Sequence, residues 1–176
     1  VYKRQNKMKE SSKPSNIELA ICLVKKNPME IILQKATELG VSRITPIISE
    51  RTEVKELNYE RAQKIVIEAT EQSNQLNPPE VTKVIKLKDF LEKLDSGSKF
   101  LFADVNSQNN LQKKDVDGDA LKTILIGPEG DFSPGERESI LAKANTTSFS
   151  ISKNILRSDT AVISAISLVN FINNLH

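Results

Sequence analysis

Short apolar runs alternate with helical patterns along almost the whole of this chain, and that alternation leaves few folds open. Ile17–Val24, Arg43–Ser49, Val81–Leu87, Lys99–Val105, Thr123–Gly127 and Thr147–Ser152 have the length and apolar content of strands. Pro28–Gly40 reads as a helix, with Pro28 in its first turn, Gly40 as its stop, and Met29, Ile32, Leu33, Ala36 and Leu39 at helical spacing. Asn58–Gln75 reads as a second, capped by Asn58 and turning Ala62, Ile65, Val66 and Ala69 inward. A short helical stretch follows at 88–94, another runs from Ser133 to about Ala144, and Ser158–Asn174 closes the pattern. Parallel strands need such crossovers, and helices then cover both faces of the sheet. An α/β fold with a mostly parallel sheet is expected. A chain of 176 residues is enough for one domain with a real core.

Composition removes several chemistries. The single cysteine, Cys22, excludes an internal disulfide, and the single histidine is the final residue, His176. Catalysis by histidine and a His/Cys metal site are therefore not expected. No apolar stretch approaches the ~20 residues that span a bilayer, and the first residues lack an apolar signal core, so a cytoplasmic location is expected. Lys3, Arg4, Lys7, Lys9 and Lys13 against Glu10 put +4 into the first fourteen residues, so the chain's total of +2 leaves −2 for the rest. Residues 1–16 read as a basic tail or linker remnant and 17–176 as the folded domain. A slightly acidic body is no electrostatic coat for nucleic acid. Within the polar loop Asn106–Lys122, DVDGDA imitates a calcium loop, yet its Gly118 is fourth from Asp115 and the twelfth residue is Ile126, so calcium is rejected.

Three stretches carry chemistry. In LIGPEGDFSPGERESI (Leu125–Ile140), Ser133-Pro134-Gly135-Glu136 is a capping box with proline at the first helical position. Gly127 and Gly130 let the backbone take positive φ and approach a ligand without side chains in the way, beyond the carboxyl end of a strand. The spacing fits neither a dinucleotide fingerprint nor a P-loop, and a plain strand–turn–helix connection is equally compatible with it. In Ile151–Val169, Ser158 or Asp159 caps a nearly uncharged helix with Val162, Ala165, Val169 and Ile172 on one face and Ala161, Ile166 and Leu168 elsewhere. Such a helix is buried in the core or against another subunit. Arg157 at its entrance is either a surface group capping a carbonyl or a functional cation. In Leu33–Val54, Lys35 and Glu38 stand one turn apart as a solvated ion pair would, and Arg43, Glu50 and Arg51 are compatible with plain surface.

Taken in order, QKATELGVSRITPIISERTEV, EATEQSNQ, LIGPEGDFSPGE and ILRSDTAVISAI resemble the RsmE family of 16S ribosomal RNA uridine-N3 methyltransferases, of the SPOUT class. The resemblance runs from about Ile17 to the end. It implies a C-terminal trefoil (α/β) knot, a homodimer packed knot against knot, and S-adenosylmethionine as cofactor, with no metal. Ile126, Gly127, Pro128, Glu129 and Gly130 would form one wall of the cofactor pocket. Ile151, Ser152, Ile155 and Leu156 would form another, with Ala103 and Asp104 at a third loop. Arg157 is the candidate stabiliser of an anionic uracil, since a guanidinium stays charged and donates in a planar fork. Glu129 is the candidate base. Lys35, Glu38 and Arg51 are candidates for contact with 16S rRNA in the small ribosomal subunit.

The family's N-terminal PUA-like domain is expected to be absent, because only the basic tail precedes Ile17. Three departures stand out. Asp131 replaces the last glycine of the family's Gly-Pro-Glu-Gly-Gly, and Ile151-Ser152 with Asn154 stand where Leu-Gly and an arginine are usual. Asn74-Gln75 replaces a usual Gly-Arg. Asp tolerates positive φ if position 131 requires it. Two rivals compete with the enzyme: a non-catalytic RNA-binding knotted dimer that has lost the cofactor, and an unknotted flavodoxin-like nucleotide-binding domain.

Overall fold

The computed structural model describes residues 15–174. The expected basic tail therefore lies, apart from its last two residues, outside the described residues. Seven strands form one sheet in the order β3-β2-β1-β6-β5-β7, with β4 also paired to β2, and every pairing is parallel. The strands are β1 (Ile17–Cys22), β2 (Arg43–Ile48), β3 (Glu80–Val81), β4 (Ile85–Lys86), β5 (Lys99–Ala103), β6 (Lys122–Ile126) and β7 (Thr146–Phe149). The helices are α1 (Lys26–Glu38), α2 (Tyr59–Gln72), α3 (Leu87–Lys93), α4 (Lys113–Val116), α5 (Pro134–Leu141) and α6 (Ser158–Asn173).

Strand alternation divides the interior into two layers. Leu19, Ile21, Leu101, Ile124 and Ile126 point to the face covered by α1, α2, α4 and α6. Ala20, Cys22, Phe100, Phe102 and Leu125 point to the other, covered by α3 and α5. Both faces are dry, so the central strands read as continuous apolar runs.

The expected strand Val81–Leu87 is instead two short pieces, with Leu87 opening α3. The cause is Pro46. The Ser42 and Ile44 carbonyls accept from the Glu80 and Thr82 amides, so the even-numbered residues of β2 face the edge, and Pro46 is next in that row with no N–H to give. Pairing resumes one residue out of register, Arg43 opposite Glu80 but Ile47 opposite Ile85. The Val84 amide in the gap donates to the Tyr59 hydroxyl of α2.

Helix ends are closed by caps, by turns and by side chains from elsewhere in the fold. Asn58 caps α2 by accepting from the Arg61 amide at 3.0 Å. Gly40 (φ 85) ends α1 in a Schellman turn, its amide on the Thr37 carbonyl and that of Val41 on Ala36. The same turn ends α2 with Asn74 at φ 54, so asparagine does there what a glycine would. Gln75 then donates to the Thr37 and Glu38 carbonyls, and Asn170 of α6 donates to Leu39 at 2.9 Å. The polar substitution at Gln75 thus gathers the C-terminal carbonyls of α1.

The polar loop holds one turn of helix, α4, and explains its own resemblance to a calcium site. Lys122, expected in the loop, is instead the fully buried first residue of β6. Its Nζ donates to the Gly118 and Ala120 carbonyls at 2.8 and 3.2 Å, so the turn carries a built-in cation. Burial, together with Lys99, pushes this ammonium below the usual lysine range.

Helix α6 buries Val162, Ala165, Ile166, Val169 and Ile172 within this chain. It packs on α1 and β6 and lies against α4 of the β5–β6 crossover.

Candidate functional site

β5, β6 and β7 are neighbours running in one direction, so their carboxyl ends at Ala103, Ile126 and Phe149 open on the same edge. The segments that follow, with Ser158 and Ala161 of α6, enclose a cavity of about 370 Å³. That is the size of a small-molecule site in the place where open parallel sheets bind ligands. All eleven positions expected to hold a cofactor line it: Ala103 and Asp104, Ile126 through Gly130, and Ile151, Ser152, Ile155 and Leu156.

The wall after β6 is fixed from behind. The capping box is formed, with the Glu136 amide on Ser133 Oγ at 3.3 Å and the Ser133 amide on Glu136 Oε2 at 3.1 Å. The other carboxylate oxygen of Glu136 accepts from the Glu50 amide at 2.8 Å, which ties α5 to the loop after β2. From that loop Arg51 donates to the Gly130 carbonyl at 2.9 Å. Arg51, expected at the RNA, therefore spends a donor on the cavity wall.

The glycines do not use the left-handed backbone open to them. Positive φ falls on Asp131 (58°), where its Oδ1 accepts from the Phe132 amide, and on neither Gly127 nor Gly130. A Cβ at Gly127 would lie 2.9 Å from the Phe132 ring, so this glycine makes room for a buried aromatic packed edge-on against Phe102. A Cβ at Gly130 would meet Arg51 only at 3.8 Å.

Asp104 closes the second wall. Its side chain is buried, yet it accepts from Arg137 Nη2 at 2.6 Å, Ser148 Oγ at 3.1 Å and the Asn106 amide at 2.9 Å. Burial alone would raise its pKa; the Arg137, Asn106 and Ser148 hydrogen bonds and the Arg137 charge outweigh that and hold the carboxyl below the usual aspartate range. The hydrogen bond to Asp104 raises Arg137 in turn. Arg137 went unremarked in the sequence, since it looks like any polar residue on an amphipathic helix.

The third wall, 150–156, is fastened by the Ser150 amide on the Asn109 carbonyl and the Asn154 amide on Ser152 Oγ at 3.0 Å. Of the departures noted above, Ser152 holds this loop to itself through its hydroxyl, while Asn154 contributes its main-chain amide. Around the cavity the amides of Glu129, Gly130, Ile151, Ser152, Ile155 and Leu156 donate to no acceptor among the described residues. With Ile126, Ile151, Ile155 and Leu156 as apolar surface, the cavity is a main-chain donor set around a greasy slot.

Arg157 does not line the cavity. Its side chain is 73% exposed, makes no cap, and sits 3.7 Å from Asp159. Glu129 lines the cavity with its side chain toward solvent. Lys35 and Glu38 form the exposed pair expected of them, at 2.9 Å. Burial pushes the Cys22 thiol up to about 12, against hydrogen bonds with Ser49 and Thr52, which makes it inert as a nucleophile. No group of three His, Cys, Asp or Glu side chains among the described residues could hold a metal ion, and no described helix is long and apolar enough to cross a membrane.

A parallel sheet with a backbone-walled cavity at the carboxyl ends of three neighbouring strands defines a class of small-molecule site, and the known proteins of this shape narrow it. Residues 11–170 match the model of the RNA methyltransferase domain family, and the chain belongs to that family. A curated relative, the ribosomal RNA small subunit methyltransferase E of Rickettsia conorii, is 33% identical over 179 residues, covering 97% of this chain and 70% of its own. The Neisseria gonorrhoeae enzyme of that name, solved bound to S-adenosyl methionine, is 32% identical with a TM-score of 0.81, covering 91% of this chain and 67% of that one. A Legionella pneumophila structure in complex with the bound cofactor SAM is 30% identical with a TM-score of 0.78, at the same coverages. The fold is thus that of the SPOUT methyltransferases, in the branch known as methyltransferase E.

Proposed function

We propose that this chain transfers the methyl group of S-adenosylmethionine to N3 of a uridine in 16S rRNA of the small ribosomal subunit. The observation that carries the proposal is the cavity at the ends of β5, β6 and β7, whose unpartnered amides and apolar side chains suit an adenosine and a carboxylate. When bound there, the cofactor supplies an electrophilic methyl group on a sulfonium. The carboxylates of Glu129 and Asp131 on the same wall match its positive charge.

The chain's own part is alignment and charge. Holding the two reactants in line removes several kcal/mol of entropic barrier. N3 of uracil must lose its proton, and Glu129, exposed at the cavity wall, is the residue proposed to take it. Negative charge then spreads over the uracil oxygens, which Arg157 meets with a charged fork. Arg157 is exposed beside α6 and paired only at 3.7 Å, so it is free to turn toward a base held in its own site or in a partner's. Lys35, paired with Glu38 on α1, is the residue proposed to meet RNA phosphate.

Two further features support the family's assembly. Val105 and Ile155 at the cavity and Phe171 on α6 are exposed apolar side chains, Ile155 to 89%, as a homodimer interface would require. The contacts of α6 with both β6 and α4 of the β5–β6 crossover support a path of the chain after β7 beneath that crossover, as a trefoil knot requires. The cytoplasm is where such a substrate is found.

Calorimetric titration with S-adenosylhomocysteine tests the cavity, with one ligand per chain expected. Methyl transfer to small subunits should then stop reverse transcription at one uridine, because an N3 methyl removes a pairing N–H. A folded protein that binds RNA but no S-adenosylhomocysteine would instead be the non-catalytic knotted dimer.

A further inference from the structure

We propose that Arg137 is a positioning residue for the cofactor cavity, gripping Asp104 so that the three walls hold one shape. The inference rests on the reading of the cavity as a cofactor site. Asp104 belongs to the wall after β5, and its Oδ2 receives both Arg137 Nη2 at 2.6 Å from α5 and Ser148 Oγ at 3.1 Å from β7. Its Oδ1 receives the Asn106 amide at 2.9 Å, and Asn106 Nδ2 reaches Asp131 Oδ2 at 3.2 Å on the wall after β6. Arg137 Nε also reaches Oδ2 at 3.2 Å and Oδ1 at 3.4 Å, so the guanidinium presents two donors to the carboxylate. One residue earlier on the same helix, Glu136 holds the loop after β2. A single turn of α5 therefore fastens the ends of β2 and β5, and through Asp104 meets β7, while its own N-terminus carries the wall after β6.

The groups facing Asp104 are Arg137 from α5, Ser148 from β7 and the Asn106 amide from the following loop, with Asp131 near Arg137. Without the guanidinium, a carboxylate in this buried place takes up a proton at higher pH and gives up its acceptor role. Binding of S-adenosylhomocysteine should then become sensitive to acid where the parent protein is not.

The experiment is calorimetric titration with S-adenosylhomocysteine between pH 7.5 and 4.5 for the parent, R137M and R137K, each checked for folding by circular dichroism. R137M is expected to bind at least tenfold more weakly at pH 7.5 and to lose affinity on acidification from a higher pH. R137K is expected to recover part of the affinity, because an ammonium presents one donor nitrogen where the guanidinium presents two. A folded R137M within twofold of the parent, with the same pH profile, overturns the proposal. If R137M does not fold, R137K decides: a loss of threefold or more supports it, and parity overturns it. Failure of the parent to bind would instead sink the cofactor reading, and this inference with it.

Discussion

Glu136 should be worth more than a helix cap. Its two carboxylate oxygens accept separate amides, Ser133 within the box at 3.1 Å and Glu50 across the fold at 2.8 Å. A hydrogen bond to a charged group contributes about 1.5 kcal/mol or more, less where water competes, as at Glu50. Glu136→Ala removes both acceptors and should cost about 2–3 kcal/mol. Glu136→Gln keeps one oxygen and turns an amide NH2 toward the other N–H, for a loss of about 1–2 kcal/mol. Ser133→Ala removes only the local cap, about 1 kcal/mol. At roughly 2–4 °C per kcal/mol for a chain of this size, the three variants should melt in the order Ser133→Ala, Glu136→Gln, Glu136→Ala from small to large loss, with the first two close. Thermal and urea unfolding by far-ultraviolet circular dichroism at fixed protein concentration would read this, with an unchanged urea slope. Should Glu136→Ala prove no worse than Ser133→Ala, the link to Glu50 contributes nothing and the reasoning fails.

Other substitutions probe neighbouring features. Gly127→Ala places a methyl 2.9 Å from the Phe132 ring and should cost about 1–3 kcal/mol by overpacking, seen as a lower urea midpoint. Asp131→Val should be destabilising by about 1–2 kcal/mol at φ 58, while Asp131→Gly should match or exceed the parent's melting temperature. Asp104, held below its ordinary value of 3.8, contributes stability that is complete above about pH 4 and lost as pH falls through its lower folded value. Asp104→Asn should therefore be less stable at pH 7, and the gap should narrow only below about pH 4 in acid unfolding curves.

What could be read from the chain was what local rules decide. Apolar runs and helical spacing located the central strands, α1, α2 and α6, and the box Ser133–Glu136 located the start of α5. The edge strand reads as one piece because Val81, Thr82, Val84, Ile85 and Leu87 give the stretch a strand's β-branched and apolar content, while its break is imposed by a proline 35 residues or more away, on β2. The cavity residues followed from ordered motifs, but the purpose of two glycines did not: Gly127 yields to Phe132, a contact made only after the turn has closed. Arg137 and Lys122 were illegible for the same reason, since their partners are set by the packing of whole elements. Asn74 and Asp131 were legible as departures, and both prove to occupy left-handed backbone.

The position of α6 has a bearing on how the protein is made. Every strand of the sheet precedes it in the chain, yet α6 is what covers Ile124 and Ile126 and supplies the floor of one side of the core. A nascent chain that has emerged through β7 has its sheet partners and α1, α2 and α4 available, with the patch over β6 that α6 covers still bare. During that interval the exposed aliphatic face is a target for holding chaperones, and a ribosome stalled there would release a sticky product in place of a smaller working domain. Quality of the finished protein then depends on prompt synthesis of a single sixteen-residue helix.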